Sequence, residues 1–192
     1  MKVSRNNKSG MTLVEILLAI FISTMVFLAI TSIHMLGQRY FRIGSDRLEI
    51  VQNGRITLDR LTRELRQTEE IVTLLPETKT EPSFPPSSEI QFQDGHEIDT
   101  IRYFRYFLDG NQLNRQIIVY YFEGYEDEYV NWNAVREEGE VPLFSIIDQK
   151  LVGEFIEDLD FYGSNEINIE AVLSKDSVRT TLRTKIFGRN TQ

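Results

Sequence analysis

The chain has 192 residues, 41% of them apolar and none of them Cys, so it can fill a core but can form no disulfide and offers no thiolate to a metal or a substrate. Its formal net charge of −8 is unevenly spread. Residues 1–10 carry three cations and no acid, residues 11–68 seven cations against five acids, and residues 69–192 11 cations against 24 acids. An acidic C-terminal part repels a phosphate backbone, so no nucleic-acid partner is expected there.

In chain order, the first element is an apolar run from Met11 to about Leu36, within which Ile16 to Ile33 carries no formal charge over 18 residues. About 20 such residues in a helix cross the hydrocarbon core of a bilayer, so the run reads as a transmembrane helix at about 11–36. A buried core helix of a soluble domain is the alternative. Lys2, Arg5 and Lys8 precede the run, and the positive-inside bias then places the N-terminus in the cytoplasm and the rest outside. The sequence after Leu36, GQRYFR, has no small-residue cleavage site of the secretory type, so the segment is expected to stay attached.

Glu15 sits inside this run. A carboxylate in hydrocarbon costs about 2.5 to 3.5 kcal/mol at the bilayer centre and less near its edge. Two readings answer that cost: Glu15 snorkels to the headgroups or is protonated, or it pairs with a cation supplied by another chain.

The stretch Lys8-Ser9-Gly10-Met11-Thr12-Leu13-Val14-Glu15, followed at once by a bilayer-length apolar run, resembles the prepilin leader of type IV pilins and type II secretion pseudopilins. The resemblance implies cleavage by a prepilin peptidase between Gly10 and Met11, removal of residues 1–10 as a leader, and N-methylation of Met11. It also implies that Glu15 pairs with the new N-terminal amine of a neighbouring subunit. An α-amino group with a pKa near about 8 is largely cationic at neutral pH, which suits that role. Such a desolvated pair fixes register more than it adds net stability. The chain departs from the family at Met11, where Phe is usual, and at Ser32, where many major pilins carry proline; the second departure favours a minor subunit. The expected partners are the prepilin peptidase, other pilin or pseudopilin subunits and membrane lipid, with no cofactor and no metal.

Beyond the membrane, small or apolar residues recur at Phe41, Gly44, Leu48, Val51, Gly54, Leu58, Leu61 and Leu65, at helical steps of three and four. Arg39, Arg42, Arg47, Arg55, Arg60, Arg63 and Arg66, with Asp46, Glu49, Asp59 and Glu64, read as a solvated face on which Asp59 and Arg63 stand one i,i+4 step apart. The helix is expected to reach residue 69. Gly44-Ser45-Asp46 invites a break, with Asp46 and Glu49 at the spacing of an N-terminal cap, so one helix and two jointed helices both fit.

Residues 70–192 read as an extracytoplasmic β-rich head. Residues 76–88 hold four of the five prolines and form a loop. Strands are expected at 99–107 and 112–122 around the hairpin turn Asp109-Gly110-Asn111, at 155–162, at 166–173 and 178–186 around Ser-Lys-Asp-Ser, and a first one at 70–75. The predicted fold class is α+β, a long N-terminal helix packed on an antiparallel sheet. The order of these elements, with LDRLTRELRQ before IRYFRYFLDGNQLNRQ and a closing FGRN, is similar to minor pseudopilins of the J type and minor pilins of the PilW type.

Catalytic chemistry is hard to assemble. His34 and His96 are the only histidines, and no G-x-S-x-G, P-loop or dinucleotide glycine pattern occurs. Glu123, Glu126, Asp127 and Glu128 offer oxygens to calcium but lack the spacing of a calcium loop, so a solvated acidic loop is the expectation. Trp132, the only Trp, is expected to be partly buried against its own head. The chain therefore reads as a non-enzymatic subunit, a minor pilin or pseudopilin of a pilus, competence or secretion filament, acting in its initiation or at its tip. The alternative is a membrane-anchored enzyme or sensor domain whose leader-like stretch is coincidental.

Overall fold

The computed structural model describes residues 11–82, 86–95, 100–137, 139–164 and 166–187. Helix α1, Leu13–Arg66, is followed by seven strands: β1 (Glu89–Gln93), β2 (Tyr103–Asp109), β3 (Gln112–Tyr121), β4 (Leu143–Gly153), β5 (Ile156–Tyr162), β6 (Glu166–Lys175) and β7 (Val178–Phe187). The chain divides into two compact units, residues 1–44 and 45–192.

Helical hydrogen bonding runs through Gly44 without a break, so Asp46 is no N-cap. Asp46 and Glu49 both face Lys175, 3.5 and 2.5 Å away, which pins the end of the β6–β7 hairpin to the helix. The buried stripe of the second unit is Asp46, Ile50, Gly54, Thr57, Leu58, Leu61 and Leu65. It agrees with the sequence reading from Gly54 onward but not before it. Leu48 is 73% exposed and Phe41 81%, because the face is carried by Asp46 and Ile50 instead.

Two antiparallel sheets stand where a single one was expected. The first has the order β1-β2-β3-β4 and the second β5-β6-β7. The helix reaches both. Gly54 lies so close to the hairpin that an added Cβ would sit 2.6 and 2.7 Å from methyls of Leu173 and Leu182. Thr57 donates its hydroxyl to the carbonyl of Val152, at the end of β4. The Glu64 carboxylate receives the Tyr106 hydroxyl at 2.6 Å and Arg115 Nε at 2.9 Å. The side chains of Glu64 and Arg115 are 12% and 9% exposed, and the guanidinium lies 3.9 Å over the Phe104 ring. Glu64 thus belongs to the interior rather than to a solvated face, and the i,i+4 pair that forms is Arg60–Glu64. Beside it, the hydroxyl of Tyr106 resists ionisation, chiefly through burial and then through the neighbouring carboxylate.

The expected first strand at 70–75 is reduced to an antiparallel bridge between Ile71 and Phe92. From there the loop runs as a strap between the sheets. At one end, Val72 and Thr73 donate to the carbonyl of Gln91. At the other, Gly163 donates to the carbonyl of Pro76 and Phe161 to that of Ser87, which supplies β5 with partners along its outer side. Lys79 is held 2.8 Å from Asp160 and 3.0 Å from Glu170, and Glu170 also accepts from Arg183. These two carboxylates, Asp160 first, raise the Lys79 pKa above 10.5; Arg183 and then Lys79 hold Glu170 below 4.5.

Candidate functional site

Helix α1 opens on a reciprocal cap. Its first helical residue is Leu13, which makes Thr12 the N-cap and Glu15 the third residue of the first turn. The Glu15 amide donates to Thr12 Oγ1 at 3.3 Å, while the Thr12 amide and hydroxyl donate to Glu15 Oε2 at 2.8 and 3.0 Å. Amides at a helix start have no intrahelical acceptor, and this Thr-x-x-Glu box satisfies two of them. The sequence reading singled out Glu15 but missed its tie to Thr12, although the capping-box spacing was present in Thr-Leu-Val-Glu. Both bonds from Thr12 fall on Oε2, and no donor to Oε1 occurs among the described residues. An exposed carboxylate oxygen can therefore still receive a cation.

Past this cap the first unit presents its side chains outward. Every residue from Met11 to Arg42 is exposed, including Leu17, Ile20, Phe21, Phe27 and Leu28. Three hydroxyls in the run are satisfied locally: those of Thr24, Thr31 and Ser32 donate to the carbonyls of Ile20, Phe27 and Leu28 at 2.7 to 2.9 Å. His34 Nε2 lies 2.9 Å from Gln38 Nε2. Such back-bonding lets hydroxyls enter hydrocarbon without an unmet donor. One helix among the described residues, α1, is long and apolar enough to cross a membrane.

Residues 5–31 match the family model described as the prokaryotic N-terminal methylation motif. No curated protein and no solved structure matches the chain. The motif supports a type IV pilin-like or pseudopilin relationship, implying processing by a prepilin peptidase and assembly with other pilins. Together with the exposed apolar helix, the one such helix among the described residues, it suggests a membrane-anchored, single-pass chain.

Gly10 and the basic residues before it lie outside the described residues, as does His96. Met11, 68% exposed, immediately precedes the cap. In the head, Glu123, Glu126, Asp127 and Glu128 are all exposed on two successive turns, closed by Tyr125 N–H to Phe122 O and Glu128 N–H to Tyr125 O. Among the described residues no group of three or more His, Cys, Asp or Glu is arranged to hold a metal ion. Trp132 is half-buried, its amide donating to the Tyr103 hydroxyl at 3.1 Å and its indole N–H reaching Glu70 at 3.4 Å.

Proposed function

We propose that the chain is a minor pilin or minor pseudopilin, a non-enzymatic subunit that assembles into a filament through α1 and acts in its initiation or at its tip. The observation that carries this reading is the conjunction of the methylation motif with a capped carboxylate at the head of an apolar helix whose sides are open. Apolar surface of this extent is covered either by lipid or by other helices. On the membrane side, Ala19 and Ser23, four residues apart, line a shallow groove together with Ile20 and Phe27, a small-residue spacing that lets another helix approach closely.

In this reading the peptidase cuts between Gly10 and Met11 on the cytoplasmic side of the inner membrane, and Met11 becomes the methylated terminus. The head lies outside. The cut creates an amine one residue from the cap, while Glu15 Oε1 is open to the corresponding amine of a neighbouring subunit. The cap and the ion pair then share one carboxylate, an oxygen to each.

Glutamine separates the two roles, since it can replace Glu in a capping box but carries no charge. Processing of the wild-type chain in a host with its peptidase should yield, by mass spectrometry, a chain starting at methylated Met11. E15Q and E15A should both be processed, and both should lose most co-purification with other pilin subunits. Assembly of E15Q at the wild-type level would reduce Glu15 to a cap, and a functional chain retaining residues 1–10 would remove the reading altogether.

A further inference from the structure

Within residues 45–192, a groove of about 720 Å³ runs between α1 and the last strand. Arg55, Asp59, Arg63 and Arg66 line it from the helix, at steps that keep them on one stripe, and Leu182 and Thr184 line it from β7. Arg55, Arg63 and Arg66 are exposed and make no ion pair among the described residues, whereas Arg183 beside them is engaged by Glu170. The order of the second sheet ends at β7, so the outer edge of that strand has no strand beside it among the described residues. Three unneutralised guanidiniums along an open strand edge thus interrupt an otherwise acidic head.

We propose that this groove is a docking site for an extended acidic segment of a partner polypeptide, which adds to the edge of β7 and places its carboxylates against Arg55, Arg63 and Arg66. The volume far exceeds what a single phosphate or carboxylate fills, and the arginine stripe from Arg55 to Arg66 covers 11 helical steps, about 16.5 Å at 1.5 Å per residue. A strand rises about 3.3 Å per residue, so five or six extended residues cover it, their side chains alternating between the arginines and the opposite side. Pairing by main-chain bonds on a sheet edge with side-chain selection is a general mode of peptide recognition, and guanidinium forks suit carboxylates. Asp59, in the middle of the stripe, disfavours a continuous run of negative charge but tolerates spaced carboxylates. The chain's net charge of −8 likewise opposes the approach of a nucleic acid, and among the described residues no aromatic ring lines the groove for base stacking. The site is independent of how the N-terminus is processed.

The test uses the full chain in detergent micelles and a fluorescent ten-residue peptide alternating Glu and Thr, with its Lys/Thr counterpart and an oligodeoxythymidine as comparators. The Glu/Thr peptide should bind, with an affinity that falls as NaCl is raised. R63Q/R66Q should weaken it by about tenfold or more, while R47Q, on the same helix outside the groove, should not. Unchanged circular dichroism of the variants would show that the fold is retained. No binding of the Glu/Thr peptide, binding that survives R63Q/R66Q, or tighter binding of the oligodeoxythymidine through the same arginines would each overturn the proposal.

Discussion

Glu64 shows how a residue's role depends on the strand opposite it. From the sequence it is one acid among seven arginines on a helix, and its spacing to Arg60 makes it look like half of a surface pair. Tyr106 and Arg115, 42 and 51 residues later, convert it into the centre of a buried cluster, and no local pattern could announce partners at that distance. A buried pair adds little over an apolar substitute, but breaking it strands a charge. E64A should therefore cost about 3 to 5 kcal/mol in urea denaturation, and E64A/R115M should recover most of that loss. A change below about 1 kcal/mol in E64A would mean that water reaches Arg115 freely. At the other end of α1 the partners are local: Thr12 and Glu15 are three residues apart, a capping-box spacing that a local pattern can announce, although the reading of the sequence passed over it.

Among the elements, legibility followed alternation of polarity. Strands β2, β3, β5, β6 and β7 were foreseen because aromatic and β-branched residues recur and turn chemistry separates them; Gly110, at φ 57°, and Asp176, at φ 51°, occupy the left-handed positions those turns require. Strand β4 was missed. It lies at the edge of its sheet, with Leu143, Phe144, Ile146, Ile147 and Leu151 all exposed, so no period of two marks a buried face. Strand β1 has the alternation, Ile90 and Phe92 buried, but only five residues of it. The strap between the sheets has its own pH signature. Glu170 titrates below 4.5 in the folded chain, so its contribution is present above that value and is lost as pH falls through the folded pKa. Lys79 is shifted upward from 10.5, so its contribution persists to alkaline pH and is lost as pH rises through its folded pKa. E170Q should remove on the order of 1 kcal/mol or less at pH 7, because Arg183 and Lys79 are well exposed, and should flatten the fall in urea midpoint below pH 4.5. Equal acid sensitivity of E170Q and wild type would place the titrating group elsewhere.

For the whole molecule, the division at Gly44 separates two solvation problems. The first unit exposes apolar side chains around its whole circumference, whereas the second buries Ile50, Leu61, Leu65, Phe92, Tyr106 and Phe161 in its own core. A fragment of residues 45–192 should therefore be soluble without detergent and should unfold cooperatively, as followed by circular dichroism. A fragment that is molten or aggregated would show that residues 11–44 take part in the core. The strap also fixes an order of events. Lys79 and Glu170 are separated by 91 positions, and Pro76 has to wait for Gly163. On a ribosome that delivers the N-terminus first, the proline segment emerges early yet fastens late, after β5 and β6 have been made. Until that moment the flank of β5 is open to any passing strand, and the interval between its synthesis and its closure is when a chaperone would matter most to this protein.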